Sequence, residues 1–206
     1  MIKQLGIDGL VVMYVGNLEP YQGIDLLLQS FALATTEEDR TNLVIIGGDA
    51  QNLEKYQLKS RKLGIGHKVH FLGPKPLELL PSFLSEADIL VSSRTRGSNT
   101  PMKVYPYLLS GKPVLATNLP THTQILDSSV AMLAEPSPVA FSEAMLRLIR
   151  DEDARNLLGT AGRKLAEERF SYAAFRGKVN AFLEWLEVEI VRDRSNGHAR
   201  RVPDTH

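Results

Sequence analysis

The chain has 206 residues, 24 basic and 24 acidic side chains and 43% hydrophobic residues, which supports one good-sized domain and excludes a second of comparable size. Zero net charge removes the broad field that nucleic acid or an anionic membrane exploits, although a local basic patch can still hold a phosphate. There is no cysteine for a disulfide or thiolate, no signal-like start over Met1 to Leu10 and no apolar stretch near the roughly 18 residues of a membrane span, so the expectation is a cytoplasmic protein without nucleic-acid or membrane partners.

Short apolar runs alternate with longer segments of helical period, the pattern of a parallel sheet covered by helices on both faces. The first run, Leu10 to Val15, ends at Gly16; Ile24, Leu27, Leu28 and Phe31 then fall at i, i+3, i+4 and i+7, one apolar stripe of a helix. Next come a strand over Leu43 to Gly47, a helix over Leu53 to Leu63, a strand over Val69 to Leu72 and a helix over Pro76 to Ser85. A strand over Ile89 to Ser92 leads into a helix over Met102 to Ser110, then a strand over Pro113 to Thr117, a helix over Thr121 to Asp127 and a strand over Val130 to Leu133. Ser137 and Pro138 open the following helix, Val139 to Arg150, with a capping hydroxyl and a proline placed where its missing N–H costs nothing. Helices over Glu152 to Glu168 and Tyr172 to Val191 close the series. The last carries Tyr172, Phe175, Val179, Phe182, Leu186 and Ile190, a stripe that must be buried against something. The fold class is α/β: a single doubly wound domain over residues 1–191 with a six-stranded parallel sheet, and a disordered polar tail over 192–206.

Two segments carry chemistry. The turn Gly16-Asn17-Leu18-Glu19-Pro20-Tyr21-Gln22-Gly23 joins the first strand to a helix start, whose backbone N–H groups favour an anion; the plain alternative is two glycines that allow a tight turn. Neither a Gly-x-Gly-x-x-Gly fingerprint nor a Walker-type Gly-x4-Gly-Lys occurs, which weakens dinucleotide-oxidoreductase and P-loop readings. The stretch Arg94-Thr95-Arg96-Gly97-Ser98-Asn99-Thr100-Pro101-Met102-Lys103 follows the fourth strand at its carboxyl end, where open α/β sheets bind ligands. Arg94, Arg96 and Lys103 beside a helix start favour an anion site over a merely solvated loop. Pro106 cannot donate an N–H to Met102, so this helix must start late or bend. His122 is a weaker candidate for the same cleft, His67 and His70 lack a partner at metal-ligand spacing, and Tyr14 and Trp185 read as packing.

Pro101-Met102-Lys103-Val104-Tyr105-x-Tyr107-Leu108-x-Ser110-Gly111-Lys112-Pro113-Val114-Leu115-Ala116-Thr117 closely resembles the donor-site helix and following strand of family 4 (group 1) glycosyltransferases. Tyr14-Val15-Gly16 with Gly23, Val69-x-Phe71-Leu72-Gly73 and Ala87-Asp88-Ile89-Leu90-Val91-Ser92 extend the likeness over about residues 10–190. The resemblance implies the Rossmann-like carboxy-terminal half of a GT-B fold, which binds a UDP- or GDP-linked sugar and transfers a hexosyl group with retention, without metal or cofactor. It further implies a partner, the amino-terminal acceptor-binding Rossmann domain, missing from this chain and needed for turnover. Gly16, Asn17, Gln22 and Gly23 then line the phosphates, Gly73 and Pro74 approach the base, and Arg94 through Lys103 cradle the diphosphate. The family's phosphate-binding Arg and Lys correspond here to Asn17 and Gln22, and its paired glutamates to Ser98 and Pro106. Lys103, Arg94 and Arg96 are the candidates to compensate. A non-catalytic nucleotide-binding or protein-interaction module on the same fold is the alternative, and another GT-B enzyme such as an epimerase or phosphorylase a weaker one.

Overall fold

A computed structural model describes residues 6–197, which fall into two units, one ending at Ala166 and one beginning at Glu167. The first is a six-stranded, wholly parallel sheet of β1 (Leu10–Val15), β2 (Thr41–Ile46), β3 (Val69–Gly73), β4 (Ile89–Ser92), β5 (Val114–Thr117) and β6 (Met132–Ala134). Their spatial order, β3-β2-β1-β4-β5-β6, is the doubly wound arrangement, and its order reverses between β1 and β4.

Alternation along the strands divides the core. Val12 and Tyr14 of β1, Leu43 and Ile45 of β2, and Ile89 and Val91 of β4 face one layer, packing with α1 (Ile24–Thr35), α2 (Ala50–Lys62) and α6 (Pro138–Arg150). Val11, Met13, Val44, Ile46 and Leu90 face the other, packing with α3 (Leu80–Ser85), α4 (Val104–Leu109) and α7 (Glu152–Arg169). The expected Ser137 cap is present: its hydroxyl accepts from Ala140 N–H at 3.2 Å at the start of α6.

Local bonding accounts for the shifted boundaries. α2 starts earlier than its apolar period suggests because Asp49 caps it, accepting from Asn52 N–H at 2.8 Å. α4 starts late, as Pro106 requires: Val104 N–H donates to the Pro101 carbonyl at 3.0 Å, and Pro106 falls in the first turn, where no N–H is needed. α5 (Pro120–Thr123) is shorter than expected, and β6 begins at Met132 because Val130 and Ala131 spend their N–H groups on the Asp127 carbonyl.

The second unit departs from expectation. α8 (Tyr172–Gly197) continues past Val191 through six residues assigned to a disordered tail; the rest of that tail, 198–206, lies outside the described residues. The aromatic stripe is not buried, with Tyr172, Phe175, Phe182 and Ile190 at least half exposed. Beyond the end of α7 this unit holds only α8 among the described residues, and one helix has no second element within its own unit to cover a stripe. No helix among the described residues is long and apolar enough to cross a membrane.

Candidate functional site

The β1–β4 ladder consists of only Val12–Ile89 and Met13–Leu90. Beyond these pairs the Tyr107 hydroxyl of α4 serves as a partner for β1, accepting from Val15 N–H at 2.7 Å. At this carboxyl edge, where doubly wound sheets form their ligand crevice, the surrounding elements place one cation. Lys103, immediately before α4, donates from Nζ to Gln22 Oε1 at 3.3 Å and rests 3.7 Å from the centre of the Tyr14 ring. Tyr14 is held in turn by its hydroxyl, which donates to the Asn17 carbonyl at 2.7 Å. Burial, then the nearby Arg94 charge, pushes the Lys103 ammonium down to about 7.

Two glycines make this approach possible. A Cβ on Gly16, whose φ is +147°, would stand 2.8 Å from Lys103 Nζ. Gly23, at φ +73°, backs onto the Ser93 carbonyl so closely that a Cβ would lie 1.9 Å from its oxygen. The contact is stitched by Ser93 Oγ donating to the Gln22 carbonyl and Thr95 N–H to the Tyr21 carbonyl, each at 3.0 Å.

Arg94 is a buried brace at 9% exposure rather than an open phosphate hook. Its Nη1 donates to the Asn99 carbonyl at 2.8 Å, its guanidinium carbon lies 5.1 Å from the Tyr21 ring centre, and its Nε has no hydrogen-bond partner. Gly97 fits beneath the guanidinium, where a Cβ would approach Cζ to 3.0 Å. Thr121 Oγ1 also donates to the Asn99 carbonyl, at 2.8 Å, and Gln124 Nε2 donates to the Ser98 carbonyl at 2.5 Å. The Ser98-Asn99-Thr100 loop is thus fixed by its backbone.

The structure therefore brings together Gly16, Asn17, Gln22, Gly23, Arg94 and Lys103. Gly97 and Asn99 join them through their contacts with Arg94. Arg96 is exposed and forms no hydrogen bond or ion pair among the described residues, Met102 is 77% exposed, and Pro101 is buried. Gly73 and Pro74 lie at the end of β3, separated from β1 by β2. Pro106 lines an apolar groove with Leu80, Pro81 and Leu109. Tyr14, read as packing from its type, is the platform of the site, and Tyr21, Tyr107, Thr121 and Gln124 were also missed. Their partners lie far away in sequence; only the position of Tyr14 just before Gly16 was a local signal.

His122 does not face the crevice; it is fully buried. Thr117 Oγ1 donates to the Arg94 carbonyl at 2.6 Å, so His122 Nδ1, 2.9 Å away, carries the ring proton and donates it. Nε2 then accepts from Ser92 Oγ at 2.8 Å. Burial pushes His122 down to about 4 from 6.5, so the unfolded chain binds its proton first as pH falls. Stability held by neutral His122 should be complete above pH 6.5 and decline toward pH 4. His122→Leu should remove that slope and, by orphaning the Ser92 hydroxyl, cost about 2 kcal/mol at pH 7 in urea denaturation. An unchanged acid slope would show that His122 is not its source.

Comparison with known proteins agrees with this geometry. The profile of the family described as Glycosyl transferases group 1 matches residues 2–165. The D-inositol 3-phosphate glycosyltransferase of Corynebacterium diphtheriae is 29% identical over 83% of this chain and 41% of its own length, and that of Corynebacterium aurimucosum is 29% identical over 97% and 48%. The chain thus spans about half the length of these relatives. Among solved structures, Anabaena HepE in complex with UDP superposes with a TM-score of 0.79 at 18% identity, over 88% of this chain and 50% of that one. The carboxy-terminal domain of the Francisella tularensis group 1 protein LpcC gives 0.73 at 18% identity, over 82% and 91%. A doubly wound sheet with a cation at its order reversal and a family match over most of the residues lead to one assignment: this chain belongs to the group 1 glycosyl transferases.

Proposed function

We propose that the chain is the donor-binding half of a retaining glycosyltransferase, holding a UDP- or GDP-linked hexose for transfer to an acceptor bound by an amino-terminal Rossmann domain, in the cytoplasm. The observation that carries the reading is Lys103: a half-buried amine with no carboxylate partner among the described residues, set at the carboxyl edge where β1 and β4 part. Diphosphate oxygens supply the charge that its protein neighbours lack. During transfer the leaving nucleoside diphosphate develops negative charge, and a fixed cation there stabilises it more than the intact donor. The UDP in the HepE complex supports the ligand class, and the relatives' roughly doubled length supports a second domain.

Calorimetric titration of the purified chain with UDP, GDP and ADP tests this reading, and one of the three should bind measurably. The chain alone should transfer no sugar from the corresponding nucleotide sugar to an added acceptor, because the acceptor-binding groups belong to the other half. Transfer by the chain alone would overturn the division of labour. Failure of all three diphosphates to bind would favour an interaction module, in line with the carboxylates missing at Ser98 and Pro106.

A further inference from the structure

The hydrogen-bond and ring partners of the cations Lys103 and Arg94 are all uncharged. Around Lys103, β1 contributes Tyr14, the following segment contributes Gln22, the β4–α4 loop contributes Arg94, and His122 of α5 feels its charge. Tyr14 and Tyr107 are held neutral by burial, which raises both hydroxyls, and His122 is neutral at physiological pH. The carboxylates of the β1–α1 segment are turned elsewhere: Glu19 and Asp25 act on Tyr56, and Asp25 pairs with Lys59. Neither Lys103 nor Arg94 forms an ion pair among the described residues.

An ammonium has three N–H donors, and Gln22 takes one here. Arg94, held as a brace by the Asn99 carbonyl, adds a fixed positive charge beside the ammonium. Such a site lacks acceptors and negative charge, both of which a diphosphate brings. Of the two cations only the lysine can release its proton, since a guanidinium stays protonated throughout the physiological range.

We propose that the diphosphate and a proton enter this site together, with Lys103 as the group that takes up the proton and Arg94 as the fixed charge beside it. The inference rests on the donor-site reading above. In the empty site, burial and Arg94 lower the Lys103 amine to about 7, so part of the population holds it unprotonated at neutral pH. An anion against Nζ reverses the balance, so the filled site carries a full ammonium. Affinity then falls as pH rises above 7, because the proton must be drawn from an ever more basic solution. Gln22 is a positioning residue: its amide oxygen orients Nζ without supplying the negative charge that would protonate it in advance.

The test is calorimetric titration with UDP, GDP and ADP at pH 8.0 in HEPES and in Tris, whose ionisation heats differ. This pH lies above the terminal phosphate's own titration near about 6, so proton uptake belongs to the protein. The binding diphosphate should take up more than about half a proton, and its affinity should fall ~10-fold between pH 7.0 and 8.5. Lys103→Arg should bind with no dependence on buffer heat and a flat pH profile. Gln22→Glu should also lose the proton uptake, with weaker binding at every pH. Wild-type binding with identical heats in both buffers would overturn the proton coupling while leaving the donor site standing; no binding at all would overturn both. Independently of any ligand, the Lys103 side-chain carbon resonance in the full chain should titrate near pH 7, and a midpoint near the ordinary lysine value of 10.5 would refute the coupling.

Discussion

Lys103→Met should weaken binding of the preferred nucleoside diphosphate by about ten- to a hundredfold, the loss of one charge-assisted hydrogen bond of ~1.5–3 kcal/mol. Methionine keeps most of the length of the aliphatic stem, so the change removes the charge that rests on the Tyr14 ring with little loss of packing. The same variant should be more stable than wild type in the empty state. Lys103 is lowered in the fold relative to the unfolded chain, which therefore binds the extra proton between about pH 7 and 10.5. Wild-type stability rises with pH across that window; below it the fold bears the full burden of a desolvated ammonium. The thermal advantage of Lys103→Met should be largest near pH 6 and shrink toward pH 10. Opposite movements of affinity and stability separate a binding role from a structural one, since a merely structural lysine would lose both together. Unchanged affinity would remove Lys103 from the site.

The sheet was legible because its strands are short apolar runs between turn residues, and β1 and β4 fall where those runs lie. What escaped was set by single hydrogen bonds. Thr41 and Asn42 are polar and precede the expected strand, yet pairing with Leu10 and Val11 makes them the start of β2. The Asp127 carbonyl shifts the start of β6 by two residues in a way no periodicity signals. For the site, a cation beside a glycine turn marked Lys103, while the distinction between Arg94 as brace and Arg96 as open side chain depended on burial alone. Tyr14 and Lys103 meet across 89 positions, and an aromatic residue at the end of a strand reads equally as core until the cation above it is known. The α8 stripe illustrates the opposite limit: its period identified a helix but not what covers it.

Gly23→Ala should dismantle the crevice from behind. Alanine at φ +73° is strained by about 1–2 kcal/mol, and its Cβ would lie 1.9 Å from the Ser93 oxygen, a backbone atom that cannot swing aside. Relief requires the turn after β1 to move away from the end of β4. That movement breaks the Ser93–Gln22 and Thr95–Tyr21 hydrogen bonds, each of which contributes about 1 kcal/mol. The total expected loss is on the order of 3–4 kcal/mol in urea denaturation. A matched control is Gly64→Ala: its φ is +76°, but nothing lies within 4 Å of the new Cβ, so it should show the backbone strain alone. The difference between the two measures the close packing of the turn on β4. Because Gln22 precedes Gly23 and orients Lys103, whatever folded Gly23→Ala remains should also bind the diphosphate at least tenfold more weakly, whereas Gly64→Ala should bind it normally. Equal stability losses in the two variants, with diphosphate binding intact in both, would show that the contact between Gly23 and Ser93 does not hold the site together.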